Sequence, residues 1–143
     1  MPSLRRRIAR EGGFTLIELL VVLLIIAILL SIAVPSYLGL QKKAQQTAAM
    51  SDVRAAIPDA EAYHSDIGSY AGMTAGALHT TYDAGLIVSV NGSPGIVSAT
   101  PSATDSSKYC ISAIYSGRWA YVTGPGGSVT NATSATSNPC SGF

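Results

Sequence analysis

One ionisable side chain interrupts a long apolar segment near the start of the chain. From Phe14 to Val34 the sequence is mostly Leu, Ile, Val and Ala, and Glu18 is its single charged residue. A carboxylate inside a membrane costs on the order of a few kcal/mol unless a partner offsets its charge. Glu18 therefore needs a partner. The alternative is that it only caps the helix or reaches the membrane edge.

The other residues with chemical potential do not form a recognisable catalytic or metal site. His64 and His79 have no neighbouring ligands at metal-binding spacing. Asp59 and Glu61 are two residues apart, so on a helix they point to different faces and cannot act as a carboxylate pair. A phosphate loop and a nucleophile–base arrangement are also lacking. We therefore expect no catalytic residue, no metal and no cofactor, and we expect that the protein is not an enzyme.

Two cysteines, Cys110 and Cys140, are the only thiols. An even pair in an exported chain favours a disulfide, and the spacing is not the Cys-x-x-Cys of a redox-active pair. The bond would hold the tail, residues 124–143, which is rich in Gly, Ser, Thr and Asn and has few apolar anchors. Within that tail, Asn131 begins an Asn-Ala-Thr sequon and is a weak candidate for glycosylation.

The apolar segment has the length and flanks of a membrane helix. As a helix, its twenty-one residues would span roughly 30 Å, which matches the core of a bilayer. Four arginines precede it and favour a cytoplasmic N-terminus: Arg5, Arg6, Arg7 and Arg10. Two interpretations follow from this pattern alone. A peptidase cuts after Gly13 and leaves the helix on the mature chain, or the helix is an uncleaved anchor.

The residues around Gly13 resemble the processing site of type IV pilins and pseudopilins. The matching stretch is Gly13-Phe14-Thr15-Leu16-Ile17-Glu18-Leu19-Leu20. The resemblance implies that a prepilin peptidase cuts after Gly13 and methylates the new N-terminal residue, Phe14. It also implies a partner for Glu18, namely the N-terminal amine of a neighbouring subunit. A looser resemblance, over residues 62–70, matches the end of the long helix in many bacterial pilins.

The sequence predicts an α+β fold that begins with one long helix. Its parts are a leader (1–13), a hydrophobic helix (14–36), an amphipathic helix (37–66) and a globular β head (67–143). Pro35 should kink the helix, because proline removes a backbone hydrogen bond. Four apolar residues spaced three and four apart should face the core: Met50, Val53, Ile57 and Ala60. A single helix kinked near Pro58 is expected, with two helices as the lesser alternative.

The head should contain an antiparallel sheet of about four strands. Turn signals and β-branched residues predict strands at 86–90, 96–99, 108–115 and 118–123. The stretch just after Gly72 is predicted to be a connecting loop. Four aromatic residues could interleave across the last hairpin and pack the sheet on the helix: Tyr109, Tyr115, Trp119 and Tyr121.

Together these features predict a structural subunit, the major pilin of an extracellular type IV pilus. The expected partners are copies of the chain in a helical filament, the prepilin peptidase, the inner-membrane assembly machinery and, before assembly, the membrane itself. Outside residues 1–13 the formal charge is −2, which argues against nucleic-acid binding. The alternatives are a pseudopilin of a type II secretion or competence system, or an uncleaved membrane-anchored binding domain.

Overall fold

A computed structural model of the chain describes residues 13–90, 93–132 and 137–143. The predicted leader therefore lies outside the described residues, apart from Gly13. The chain divides after Gly39 into two units, which we describe separately. The first unit contains the N-terminal part of a long helix, and the second contains the rest of that helix together with the head.

The long helix, α1, runs from Leu16 to Ile67. It continues through Pro35 and Pro58, so the expectation of one helix rather than two is confirmed. Whether either proline bends it stays a prediction. In the first unit every described residue is exposed, although about two thirds of them are large and apolar.

In the second unit, α1 presents a line of small buried residues to the head. The line consists of Ala49, Val53, Ala56 and Ala60, all with no exposed surface. The predicted apolar face is confirmed, with Met50 and Ile57 partly buried at its margins. After Ile67 the helix is closed by Gly68, which has a φ of +80° and donates its backbone N–H to His64 O at 2.8 Å.

The head contains a four-stranded antiparallel sheet in simple sequential order. Its strands are β1 (Gly95–Pro101), β2 (Tyr109–Tyr115), β3 (Arg118–Gly124) and β4 (Thr130–Ala132). The turn between β2 and β3 has positive φ at both Ser116 and Gly117, as a tight two-residue hairpin requires. The predicted sheet and its central hairpin are therefore confirmed.

The predicted strand at 86–90 is wrong. This segment makes only one parallel bridge, in which Ser89 N donates to Ile96 O and Ile96 N donates to Ile87 O. Leu86 and Val88 instead pack against the core, without the regular hydrogen bonds of a strand pair. The fourth strand is β4, which the polar composition of the tail did not predict.

A short helix, α2 (Ala75–Thr81), replaces the connecting loop predicted after Gly72. Thr74 caps it, because its hydroxyl accepts a hydrogen bond from Ala77 N at 3.1 Å. Leu78 anchors α2 in the core. The Thr74 cap was the sequence signal for this helix, and it was missed.

The expected interleaving of four aromatic residues is also wrong. Tyr109 and Tyr115 share the helix-facing side of the sheet with Ile111. Trp119 pairs with Ile114, and Tyr121 with Ser112, on the opposite side. Side chains alternate along a strand, so the register places the two pairs of aromatic residues on different faces.

Candidate functional site

The start of α1 is organised by a reciprocal contact between Thr15 and Glu18. Thr15 N donates to Glu18 Oε2 at 2.8 Å, and Glu18 N donates to Thr15 Oγ1 at 3.3 Å. The Thr15 hydroxyl donates to the same carboxylate oxygen at 2.7 Å. This is a capping box, which satisfies backbone donors that the first helical turn leaves free. Within one chain, Glu18 therefore caps its own helix.

The capping role leaves part of the Glu18 carboxylate available. Among the described residues, Oε1 accepts no hydrogen bond, whereas Oε2 accepts two. A carboxylate has about four acceptor positions, so a second donor can bind while the cap persists. The sequence treated capping and partner recognition as alternatives, but this geometry is compatible with both.

Gly13 and Phe14 precede α1 and are accessible. Both are exposed and lie outside regular secondary structure, and 89% of the Phe14 surface is exposed. A peptidase needs an accessible, irregular backbone, and the Gly13–Phe14 bond meets that requirement. Pro35 lies further along the same exposed segment, within the helix. The roles predicted for these residues in cleavage, methylation and bending stay predictions.

The apolar part of α1 is exposed within its own unit. The helix contains a segment long and apolar enough to cross a membrane. Its Leu, Ile and Val side chains are exposed all round the helix rather than along one stripe. A helix that is apolar on every side is one that lipid or other helices surround. This surface therefore needs a cover from outside the chain.

The C-terminal tail is fixed to the head by a disulfide between Cys110 and Cys140, which the sequence predicted. The Asn138 side chain adds two contacts, since its Oδ1 accepts from Ser112 Oγ at 2.7 Å and from Cys140 N at 2.9 Å. Asn131 lies exposed in β4, opposite Ala120. Its glycosylation stays a prediction, and the Thr of its sequon lies outside the described residues.

Three tyrosine hydroxyls of the head donate hydrogen bonds to carboxylates of α1. Glu61 accepts from Tyr70 at 2.8 Å and from Tyr109 at 3.0 Å, and Asp52 accepts from Tyr115 at 2.8 Å. Burial and the bonded carboxylates raise the pKa of both Tyr70 and Tyr115 to about 12. These contacts hold the head on the helix and form no catalytic arrangement.

Asp59 is the exception among the acidic residues of α1. Its Oδ2 is buried and has no hydrogen-bond partner among the described residues. Burial, followed by the charge of Asp83, raises the pKa of this carboxyl. The two histidines serve packing: the His64 ring lies 4.6 Å from that of Tyr70, and His79 Nδ1 is 3.0 Å from Leu86 O. In the described ranges, no group of three or more His, Cys, Asp or Glu residues could hold a metal.

Comparison with known proteins agrees with this organisation. Residues 8–34 match the family model for the prokaryotic N-terminal methylation motif. The chain is 34% identical over 106 residues to the type IV wide pilus major component PilA4 of Thermus thermophilus, covering 73% of this chain and 74% of that protein.

Two further relatives are a fimbrial protein and a type II secretion protein. The fimbrial protein EcpC of Eikenella corrodens is 33% identical over 103 residues, covering 68% of this chain and 67% of EcpC. The type II secretion system core protein G of Aeromonas hydrophila is 41% identical over 61 residues, 43% of each chain. No solved structure gives a significant match. Because residues 8–34 match the methylation motif and two relatives above 30% identity cover two thirds or more of the chain, the chain belongs to the type IV pilin and pseudopilin family.

Proposed function

We propose that this chain is the precursor of a major pilin, the principal subunit of an extracellular type IV pilus. The observation that carries the proposal is the extent of the match to PilA4. At 106 residues it is twice the length of α1, which has 52, so it includes much of the head. The similarity to core protein G is higher in identity but covers only 61 residues.

The exposed apolar segment supports this function because it would be covered at every stage. In the precursor, lipid would surround the helix, with the head outside the inner membrane. On assembly, the same surface would move from lipid to the helices of neighbouring subunits. Because the apolar surface never meets water, extraction from the membrane need not lose the free energy of burial.

Glu18 would direct this assembly. Cleavage after Gly13 would create a new amine at Phe14, which the peptidase then methylates. The Oε1 atom of Glu18 is available to bind the amine of a neighbouring subunit. In a low-dielectric surrounding this pair attracts far more strongly than in water, and it would set the axial register of the filament.

A pseudopilin is the second candidate, since the match to core protein G favours that branch of the family. Both functions share cleavage, methylation and the Glu18 contact. Abundance distinguishes them. A major pilin should dominate the filaments sheared from the native cells, whereas a pseudopilin should be scarce there.

N-terminal mass analysis of the protein from its native cells tests the proposal. We expect a mature chain that begins at methylated Phe14 and that forms most of the sheared filament. A matched control is Gly13→Ala, because a Cβ added at Gly13 meets no atom of the described residues within 4 Å, its chain neighbours apart. Loss of processing in that variant would reflect the peptidase and not a clash. An unprocessed wild-type chain would indicate the anchored domain instead and contradict the proposal.

A further inference from the structure

Two tyrosine contacts show how the head is oriented along the part of α1 in the second unit. Tyr109, at the start of β2, donates its hydroxyl hydrogen to Glu61 at 3.0 Å. Tyr115, at the end of β2, donates to Asp52 at 2.8 Å. Asp52 precedes Glu61 by nine residues, so β2 runs toward the N-terminal end of α1. The hairpin turn after β2, at residues 116–117, therefore lies at that end of the head.

Positive charge is concentrated at this N-terminal end of the unit. Lys42 and Lys43 come before Ala49, the first buried residue of α1. Arg118 directly follows the hairpin turn and pairs with Tyr115. Both lysines are exposed and Arg118 is partly exposed, and none of the three makes a salt bridge among the described residues. We call these three side chains the basic cluster.

Negative charge is concentrated at the opposite end. Five of the six acidic side chains of the unit lie there: Asp59, Glu61, Asp66, Asp83 and Asp105. Asp83 follows Tyr82, whose hydroxyl donates to Asp66 at 3.1 Å. Asp105 Oδ2 lies 3.1 Å from the Nζ atom of Lys108, next to the start of β2. Asp52 and Arg54 carry opposite charges, so they leave the difference between the two ends unchanged.

The basic cluster is close in sequence to the apolar segment. Lys42 is only eight residues after Val34, where the apolar run ends, and Tyr37 lies between them with 64% of its surface exposed. Tyrosine is enriched at the boundary between membrane and water, whereas lysine is favoured on the cytoplasmic side. In the proposed precursor this flank is on the outer side. The two lysines oppose the usual preference, which indicates a use for their charge at this membrane surface.

We infer that the basic cluster binds anionic phospholipids of the outer leaflet while the precursor is in the membrane. The inference rests on the proposed function, which puts the head on the outer side. Cations next to a membrane are attracted by anionic lipid within about a Debye length, roughly 8 Å at physiological salt. Lys42 and Lys43 meet this condition because so few residues separate them from the apolar segment.

Arg118 should contribute less than the two lysines. Lys43 precedes Asp52, which Tyr115 contacts, by nine residues, or about 13.5 Å along the helix. The hairpin is therefore further from the lipid, and a tilt of the helix toward it, about 20° on average, would shorten that distance. Anionic lipid would repel the carboxylates at the opposite end. The charge distribution therefore favours a head with its hairpin toward the membrane.

Energy transfer from Trp119 to labelled lipid headgroups tests the inference in the full-length chain. Trp119 is the only tryptophan and directly follows Arg118, so it reports the distance between the hairpin and the lipid. The protein is added to preformed vesicles of phosphatidylcholine, or of equal parts phosphatidylcholine and phosphatidylglycerol, each with a trace of dansyl-labelled headgroup. We expect about twofold greater transfer on the anionic vesicles. The difference should vanish in about 1 M salt, where the Debye length falls to about 3 Å.

Charge removal identifies the side chains responsible. Lys42→Gln combined with Lys43→Gln should lower the transfer on anionic vesicles to its value on phosphatidylcholine, and Arg118→Gln should lower it less. Lys108→Gln is the matched control, because it removes the same charge at the opposite end of the head and should leave the transfer unchanged. The leader arginines are common to every variant and do not affect the comparison.

Three outcomes would overturn the inference. The first is equal transfer from the wild type on the two kinds of vesicle. The second is unchanged transfer in the variant that lacks both lysines, and the third is an equal decrease with Lys108→Gln. Failure of the proposed function is a separate result: an unprocessed wild-type chain in the native cells would contradict the pilin and leave the vesicle measurements as they are.

Discussion

The two units of this chain bury apolar surface in opposite ways. In the first, most residues of α1 are large, apolar and exposed, such as Leu16 with 84% of its surface accessible. In the second, the same helix turns small residues toward the head, whose own Ile111 is fully buried. The second unit has its own hydrophobic core. The apolar side chains of the first unit can be buried only by lipid or by other proteins.

The acidic residues of the two units also differ in how many hydrogen-bond partners they have within the chain. In the second unit, Glu61 of α1 accepts hydrogen bonds from two tyrosine hydroxyls of its own chain, so its partners are internal. In the first unit, Glu18 binds only Thr15, and one of its oxygens has no partner among the described residues. The comparison indicates that the second unit binds its polar groups internally, and it places the recognition that we propose for Glu18 in the N-terminal segment. Substitutions in each unit can therefore test this division.

The largest expected effect is on assembly, from Glu18→Ala. We expect this variant to insert and to be processed normally but to yield at least about tenfold less sheared filament, because the amine of the next subunit loses its partner. The urea midpoint of the head should not change. Filament yield by shearing, with N-terminal mass to confirm cleavage, measures the effect.

Thr15→Val is the matched control for that experiment. It removes the hydroxyl of the capping box but keeps the carboxylate, and losing such a cap costs about 1 kcal/mol. If Glu18 acted only as a cap, the two variants would assemble equally poorly. We expect Thr15→Val to assemble much better than Glu18→Ala.

The second expected effect is confined to the head, from the paired substitution Cys110→Ser with Cys140→Ser. The disulfide closes a span of 30 residues. Its loss should destabilise the head by about 3 to 4 kcal/mol through the added freedom of the unfolded chain. Urea unfolding followed by the fluorescence of Trp119, the only tryptophan, measures this. An unchanged midpoint would show that Asn138 and its contacts hold the tail without the disulfide.

The features that the sequence predicted best are those carried by local residue patterns. The apolar segment and the hairpin between the strands at 108–115 and 118–123 each depend on residue type over a few positions. The disulfide was predicted because only two cysteines exist. Cleavage after Gly13 and methylation of Phe14 came from a resemblance and stay untested by the fold.

The features that failed depend on partners distant in the sequence. Residues 86–90 have strand-forming side chains, but a strand also needs a partner strand. This segment forms only one parallel bridge, between Val88 and Ile96. β4 is polar and was not recognisable, since it forms by pairing with β3. The tyrosine contacts of Glu61 were also missed, because Tyr109 is 48 residues away.

A smaller effect in the head should follow from Glu61→Leu. This change leaves the hydroxyls of Tyr70 and Tyr109, both almost fully buried, without an acceptor. The expected cost is about 2 to 3 kcal/mol in the free energy of unfolding, because unpaired buried donors are penalised. Adding Tyr70→Phe and Tyr109→Phe should recover part of that loss. A further decrease in the triple variant would contradict the role given to Glu61, and filament yield should follow stability alone.

The smallest effect concerns Asp59 and depends on pH. Because burial and Asp83 raise its pKa in the folded protein, folding favours the protonated acid. The stability that it contributes is therefore present below its unfolded pKa, about 4, and is lost as the pH rises through the folded pKa.

At neutral pH the ionised Asp59 should thus weaken the head, and Asp59→Asn should stabilise it by less than about 1 kcal/mol. That advantage should disappear as the pH falls toward 3, where the wild-type carboxyl is protonated as well. Urea midpoints of both proteins across this range measure the difference. Asp83→Asn is the control: it removes only the repulsion, the lesser cause, so its gain should be smaller. An equal advantage at pH 3 and pH 7 would show that the effect of Asn is one of packing, with no contribution from the charge of Asp59.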